Sequence, residues 1–403
     1  MCHEPIPRLN EFGYKFRAAG FRRPSEIGKG ENSNDYSDYL SVRGQFQGTI
    51  KSTVGSDNNT AVNQSAQDNI NFTSASIYPL IGAFGGHISA FTEFGYSPGA
   101  SINIGNAFVR FTYGDTASFW SFRLGLFSAR EGFGAFDVSL ASSSPLFLGQ
   151  AAQTVIGTRL GKTLYTPGMG EAGIEAGWNM DRLSIRLGFY NGIYSNAGAA
   201  QAAIGGSFNK PANTPQYNSK DITLIANYIL EEHGGGVMGY FYMGGVDIPA
   251  PAPSPANTWF SDKYARYGVG ASYPISNFKV MGGVGMGSDK QWVTDTTILP
   301  TKGKIADSTS SCMGFFGELD YKIDKQWTVG ARYDSYNPIT NANFTGHDIT
   351  AMTGIANYAL SNGLVVTCEA KLQTTSQGFD KAATPVVMKQ NDYSLTIRTF
   401  FVW

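Results

Sequence analysis

Residues 310–336, SSCMGFFGELDYKIDKQWTVGARYDSY, alternate in polarity along two limbs. Phe315, Leu319, Tyr321 and Ile323 share one face of the first limb, and Trp327, Val329 and Tyr333 share one face of the second. Glu318, Asp320 and Lys322, then Arg332 and Asp334, take the opposite faces. Successive side chains of a strand point to opposite sides, so a period of two makes each limb a strand with one apolar and one charged face. Asp324-Lys325 is the only break between the limbs, which makes them a tight hairpin.

The same pattern runs through nearly the whole chain. Strands are predicted near 38–53, 72–84, 87–97, 100–114, 118–130, 171–180, 183–194, 220–231, 236–248, 263–274, 277–288, 309–323, 326–336, 348–359, 363–374 and 391–403, sixteen in all. Their links alternate in length. Short turns stand at 85–86, 114–117, 179–182, 232–235, 275–277, 324–325 and 361–362; long polar loops are expected at 54–71, 131–170, 195–219, 249–262, 289–308, 337–347 and 375–390, with 97–99 a short exception. Glycine is frequent at 49 residues, aromatics make up 13%, and charged residues are 15% against roughly 25% in ordinary soluble domains. No run is apolar enough for a membrane helix. An even number of alternating strands, short turns at one end and long loops at the other define an antiparallel transmembrane barrel of the bacterial outer membrane. The closing strand fits, because Tyr393, Leu395, Ile397 and Phe401 share a face and Trp403 ends the chain.

Other function classes leave no trace. The net charge of −1 excludes the basic footprint of a nucleic-acid binder. Zinc spacing, a phosphate loop and a nucleophile elbow are absent, and GMGSDK at 285–290 is assigned to a barrel loop. Cys312 should face inward and Cys368 outward, so the two are not expected to pair. The predicted inward charges are mixed in sign, with Arg43, Lys51, Arg110, Arg123, Arg186, Arg332, Lys371 and Arg398 set against Glu93, Glu318, Asp320, Asp334 and Glu369. A one-sided ring would set ion selectivity; in this mixture most of the charges should be paired or solvated.

The first residues carry a different signal, MCHEPIPRLNEFGYKFRAAGF. A c-type haem is held by C-x-x-C-H, in which two thiolates bond the vinyl groups and the imidazole ligates iron. Cys2-His3 supplies the second half of that motif. Pro7 suits a first helical turn, and Leu9, Phe12 and Phe16 then share a helical face that could lie on a porphyrin. Gly13 and Gly20 permit close approach and chain reversal. With Phe21, these residues fit P-x-L-x-x-F-G-x-x-F-x-x-x-G plus an aromatic. In this pattern residues 2–21 resemble the N-terminal haem segment of outer-membrane cytochrome-porin fusions, a family that includes iron oxidases of iron-oxidising bacteria.

The resemblance implies a short helical haem segment and linker over 1–36, a barrel over 37–403, and the haem segment as a plug in a sixteen-stranded porin-like barrel. It implies one haem c, attached through Cys2 and a further Cys expected three residues before it, preceded by a signal peptide in a longer natural chain. His3 would be the proximal ligand. Among the other histidines, His87 follows the Gly85-Gly86 turn in phase with Ser89 and Glu93, so it should face the lumen at the plug's end and is the candidate distal ligand. His233 and His347 are poorer candidates. Electrons from extracellular Fe(II) would cross the outer membrane to a periplasmic c-type cytochrome. By comparison with sixteen-strand porins, the third outer loop, 131–170, is expected to fold into the lumen. The other reading of the same residues is a passive porin for small solutes with a haem-free plug.

Overall fold

The computed structural model describes residues 11–29, 39–56, 61–96, 102–128, 154–155, 158–159, 170–191, 220–231, 235–249, 259–289, 310–340, 348–361, 363–379 and 386–402. A helix α1 (Glu11–Ala18) precedes β1 (Ser41–Ser56), β2 (Ala61–Phe84), β3 (Ile88–Tyr96), β4 (Asn103–Gly114) and β5 (Ser118–Ser128). A separate two-residue hairpin, β6 (Thr154–Val155) and β7 (Thr158–Arg159), lies in the long connection that follows. The barrel resumes with β8 (Gly170–Met180), β9 (Leu183–Tyr190), β10 (Asp221–Glu231), β11 (Gly235–Pro249), β12 (Trp259–Ile275) and β13 (Phe278–Asp289). It ends with β14 (Ser310–Lys322), β15 (Trp327–Thr340), β16 (Asp348–Ser361), β17 (Leu364–Phe379) and β18 (Val386–Val402). Each barrel strand pairs with its chain neighbours, and β18 closes on β1 from Arg43↔Val402 to Ser56↔Lys389. The sixteen strands form one closed antiparallel barrel, as the alternation predicts.

Outward positions are apolar and open to the surroundings: Ile50, Leu124, Ile174, Val269, Met352 and Ile397 are all more than half exposed. A surface this apolar would associate in water, and in a bilayer it is matched by hydrocarbon. Aromatic pairs ring the end with the short turns. Trp120 stacks on Trp178 at 5.5 Å, Phe278 meets Tyr321 at 4.7 Å, and Trp327 meets Tyr358 at 4.7 Å. Such a girdle marks a membrane interface, and the short turns make it the periplasmic one.

Three boundaries differ from expectation. Most of 54–71 and 375–390 is strand, in β2, β17 and β18, where loops are predicted. The extra residues, NQSAQDN in β2 for example, are polar on both faces, so they show no alternation although they pair in register with β1. Gly285–Asp289 belongs to β13 and pairs with residues 310–314 of β14. The predicted fold of loop 131–170 falls outside the described residues apart from the β6–β7 hairpin.

The tight turn between β14 and β15 is held by Asp324. Its carboxylate accepts the N–H groups of Gln326 and Trp327, both at 2.7 Å, and these bonds hold it below the usual carboxylate range. A depressed carboxylate stabilises the fold above its unfolded pKa, near 4, and the contribution fades as pH falls through the folded value. The Gln326 and Trp327 amides should therefore lose hydrogen-exchange protection below about pH 4, while Asp324→Ala should lose it at every pH. Equal protection in the two proteins at neutral pH would show that the carboxylate does not hold the turn.

Candidate functional site

Residues 11–29 sit in the periplasmic mouth. Helix α1 stops because Gly20 and Phe21 take left-handed backbone conformations, φ 78° and 59°. The Phe21 N–H then bonds back to the Phe16 carbonyl at 2.9 Å and that of Gly20 to Arg17 at 3.1 Å, the pattern of a Schellman C-cap. The absence of a side chain at Gly20 also seats the segment on the wall, since a Cβ there would stand 2.4 Å from Ser89 Oγ on β3. The ring of Phe21 stacks on Phe91 of β3 at 5.7 Å.

Arg22 is the latch. Its buried guanidinium donates to the carbonyl of Gly85 at 2.7 Å and to that of Ile88. The Gly28 N–H donates to Gly86 O at 2.7 Å. From the wall, Arg110 of β4 donates to the Arg17 carbonyl, and Lys15 lies 3.7 Å from Asp181 in the β8–β9 turn. Ala19 and Ile27 pack against Phe119 of β5. Phe12 and Phe16 stack on one another at 5.9 Å, so that part of the predicted helical face exists. Pro7, Leu9, Cys2 and His3 lie outside the described residues.

His87 departs from its expected place. It lies in the β2–β3 turn with its ring stacked on Tyr113 at 4.7 Å, and Tyr113 is an outward residue of the periplasmic girdle, half exposed. The phase taken from Ser89 does not carry across the turn. Its Nδ1–H donates to the Thr112 carbonyl at 2.8 Å, which leaves the Nε2 lone pair for a ligand. Gly28 of the plug borders that ring: a Cβ on Gly28 would lie 3.6 Å from Nε2. His233 and His347 lie outside the described residues.

Beyond the plug segment, part of the inward wall is aromatic and apolar. Phe91, Phe108, Phe127 and Tyr190 form an unbroken aromatic row across β3, β4, β5 and β9, with neighbouring rings 5.4 to 5.9 Å apart. Ile225, Met238, Tyr240, Met281, Phe316, Tyr336, Ile349 and Ala351 continue an apolar inward cluster as far as β16. Cys312 packs against that cluster, as expected of an inward residue, whereas Cys368 lies beside exposed Ile397 on the outer face.

Several inward charges are paired and deeply buried. Arg123 meets Glu175 at 2.9 Å, Arg332 meets Asp334 at 2.7 Å and Glu318 at 3.9 Å, and these side chains are at most 3% exposed. Nearer the ends, Arg43 meets Glu93 at 3.1 Å and Lys51 meets Asp392 at 3.4 Å. On β10, buried Asp221 accepts the hydroxyls of Tyr242 and, at 2.8 Å, Tyr264. Glu175, Asp221 and Asp392 are absent from the predicted inward set, although Glu175 is in phase with Asn179 and opposite Ile174 and Trp178. The most deeply placed of these pairs are sealed from solvent.

Between α1 and the wall of β8–β13 is a cavity of about 90 Å³ lined by Tyr14, Arg17, Phe119, Arg186 and Lys279. Its size is well below the roughly 300–1,000 Å³ range of cofactor sites. The cavity is too small for a haem, so it is not the place where one would sit.

The geometry defines a plugged outer-membrane barrel of the porin fold, in the bacterial outer membrane. Solved structures agree. The outer membrane channel DcaP of Acinetobacter baumannii superposes with a TM-score of 0.54 at 10% identity, covering 90% of this chain and 97% of that one. An anion-selective porin from Comamonas acidovorans gives 0.52 at 13% identity, over 90% and 100%. OmpT of Vibrio cholerae gives 0.51 at 10% identity, over 90% and 97%. No family model matches the chain, and no curated protein does.

Proposed function

We propose that this barrel is an electron conduit of the outer membrane, with a haem c on its N-terminal plug. The observation that carries the reading is the seating of residues 11–29: the segment directly after Cys2-His3 is latched into the periplasmic mouth by Arg22, Gly28 and Arg110. A haem attached at Cys2 and ligated by His3 would be held beside that mouth, and His87, with its Nε2 lone pair free of the Thr112 bond, is the candidate sixth ligand. The haem supplies one-electron chemistry; the chain's own residues position it and limit water around it. By the resemblance of residues 2–21, the donor is extracellular Fe(II) and the acceptor a periplasmic c-type cytochrome.

A second reading has its own support. The structural neighbours include an anion-selective porin and an outer-membrane channel, and a passive pore for small solutes needs no haem.

Expression of the full-length gene in a haem-maturing host should yield one covalent haem, reduced on adding Fe(II), and His3→Ala should abolish the native spectrum. A purified barrel with no haem absorbance, conducting ions freely in planar bilayers, would establish the passive porin instead. Haem that ignores Fe(II) yet accepts electrons from another donor would retain the conduit and remove the iron oxidase.

A further inference from the structure

The inner wall is not uniform around the barrel. On β14, β15 and β16 the inward side chains of Phe316, Glu318, Arg332, Asp334, Ala351 and Thr353 are all buried. On β1, β17 and β18 the inward side chains keep part of their surface open. Gln47, Thr49, Gln373, Gln390 and Ser394 are each partly exposed, and the Arg43 and Lys51 side chains are 38% and 42% exposed. These residues face inward, because along their strands they alternate with Phe46, Ile50, Leu372, Tyr393 and Leu395, which face lipid. Open surface on the inner side of a closed wall faces a space within the lumen. From Arg43 to Lys51 that surface covers eight residue steps, about 27 Å of strand, comparable with the roughly 25 Å apolar band of an outer-membrane barrel. The plug bears on a different part of the wall, from β3 to the β8–β9 turn.

We propose that a narrow aqueous path runs along the inner faces of β1, β17 and β18 and passes small uncharged hydroxylated solutes. The path rests on the passive reading of the barrel and does not depend on haem. Its lining decides the solute class. Gln47 donates to the Thr49 hydroxyl at 2.9 Å, Thr49 lies 3.3 Å from Thr396, and Gln390 donates to Asp392 at 2.9 Å. Hydroxyls and carboxamides both donate and accept, so they can replace the water that a hydroxylated solute sheds. The charges among them sit beside opposite charges. Lys51 meets Asp392 at 3.4 Å, Arg43 meets Glu93 at 3.1 Å, and Glu369 lies one inward position from both Lys371 and Arg398. A ring of one sign would draw ions, whereas paired charges favour neither sign. An ion shedding water in a narrow space also incurs a desolvation cost that a neutral solute avoids.

Proteoliposomes of the full-length protein test this with three solutes of one carbon skeleton: neutral sorbitol, anionic gluconate and cationic glucamine. Sorbitol uptake should exceed that of both ions several-fold and stand well above that of empty vesicles. Equal or faster uptake of either ion, or sorbitol uptake no faster than in empty vesicles, would overturn the proposal. Gln47→Cys and Gln373→Cys locate the path. A bulky, membrane-impermeant thiol reagent coupled at either position should cut sorbitol uptake several-fold. The parent, with its free Cys312 and Cys368, and Thr353→Cys on the buried side should respond little. If both glutamine variants refuse the label, or carry it with uptake unchanged, the path does not run there and the proposal fails. Haem absorbance is read on the same samples. Haem without sorbitol uptake would overturn the path and leave the conduit standing, whereas sorbitol uptake without haem would support the path and remove the haem reading.

Discussion

Arg332→Leu is expected to destabilise the folded barrel by about 3–5 kcal/mol, the cost of leaving buried charge uncompensated. The guanidinium lies between two carboxylates, with Nε 2.7 Å from Asp334 and Nη1 3.9 Å from Glu318, and all three side chains are sealed from solvent. Glu318 faces Arg332 directly across the β14–β15 ladder and Asp334 follows two residues on, so neither can turn away without breaking its strand. Adding Glu318→Gln and Asp334→Asn should recover much of the loss, because the charge that needed the guanidinium is gone. Urea unfolding in detergent micelles, followed by tryptophan fluorescence, measures both steps. A loss below about 1 kcal/mol, the range of exposed pairs, would mean that water reaches the cluster and that the lumen is wet at this level.

That cluster also marks where the sequence is legible. Around Arg332 the outward set of Leu319, Tyr321, Trp327, Val329 and Tyr333 is cleanly apolar and the inward set cleanly charged, so strand phase, hairpin and ion pairing can all be read from the alternation. The 235–245 stretch, GGVMGYFYMGG, resists the same reading. Val237, Phe241 and Met243 face lipid, while Met238, Tyr240 and Tyr242 are buried inside, and two apolar faces give no contrast. The inward apolar cluster is invisible for that reason. His87 fails differently, since two residues of tight turn separate it from β2 and the phase of β3 begins one residue later, at Ile88. The Arg22 latch depends on the carbonyls of Gly85 and Ile88, and main-chain acceptors more than sixty residues away have no signature in side-chain pattern. What the sequence does announce in the plug is Gly20, at the residue where the chain must reverse.

The plug's latch yields the second large effect: combining Arg22→Ala with Gly20→Val should undock residues 11–29. Shifting a two-state equilibrium from almost wholly docked to almost wholly free requires about 5.5 kcal/mol. Two hydrogen bonds from a charged donor, each worth about 1.5–3 kcal/mol, are lost with Arg22. A β-branched residue at φ 78° adds strain of about 1–2 kcal/mol, and its Cβ would collide with Ser89. The combined loss of about 4–8 kcal/mol brackets that threshold, so the double variant should undock further than Arg22→Ala, and Gly20→Val alone should remain mostly docked. Trypsin reads the plug directly at Lys15 and Arg17, which should be cut far faster in the double variant than in the parent. Planar-bilayer conductance reads the pore. Rapid cleavage with conductance still low would place the barrier in the packed wall of Phe108, Phe127 and Tyr190 rather than in the plug. Cleavage as slow as the parent's would show that the Arg22 contacts do not hold the segment, and the latch would have to be sought at Arg110 and Gly28.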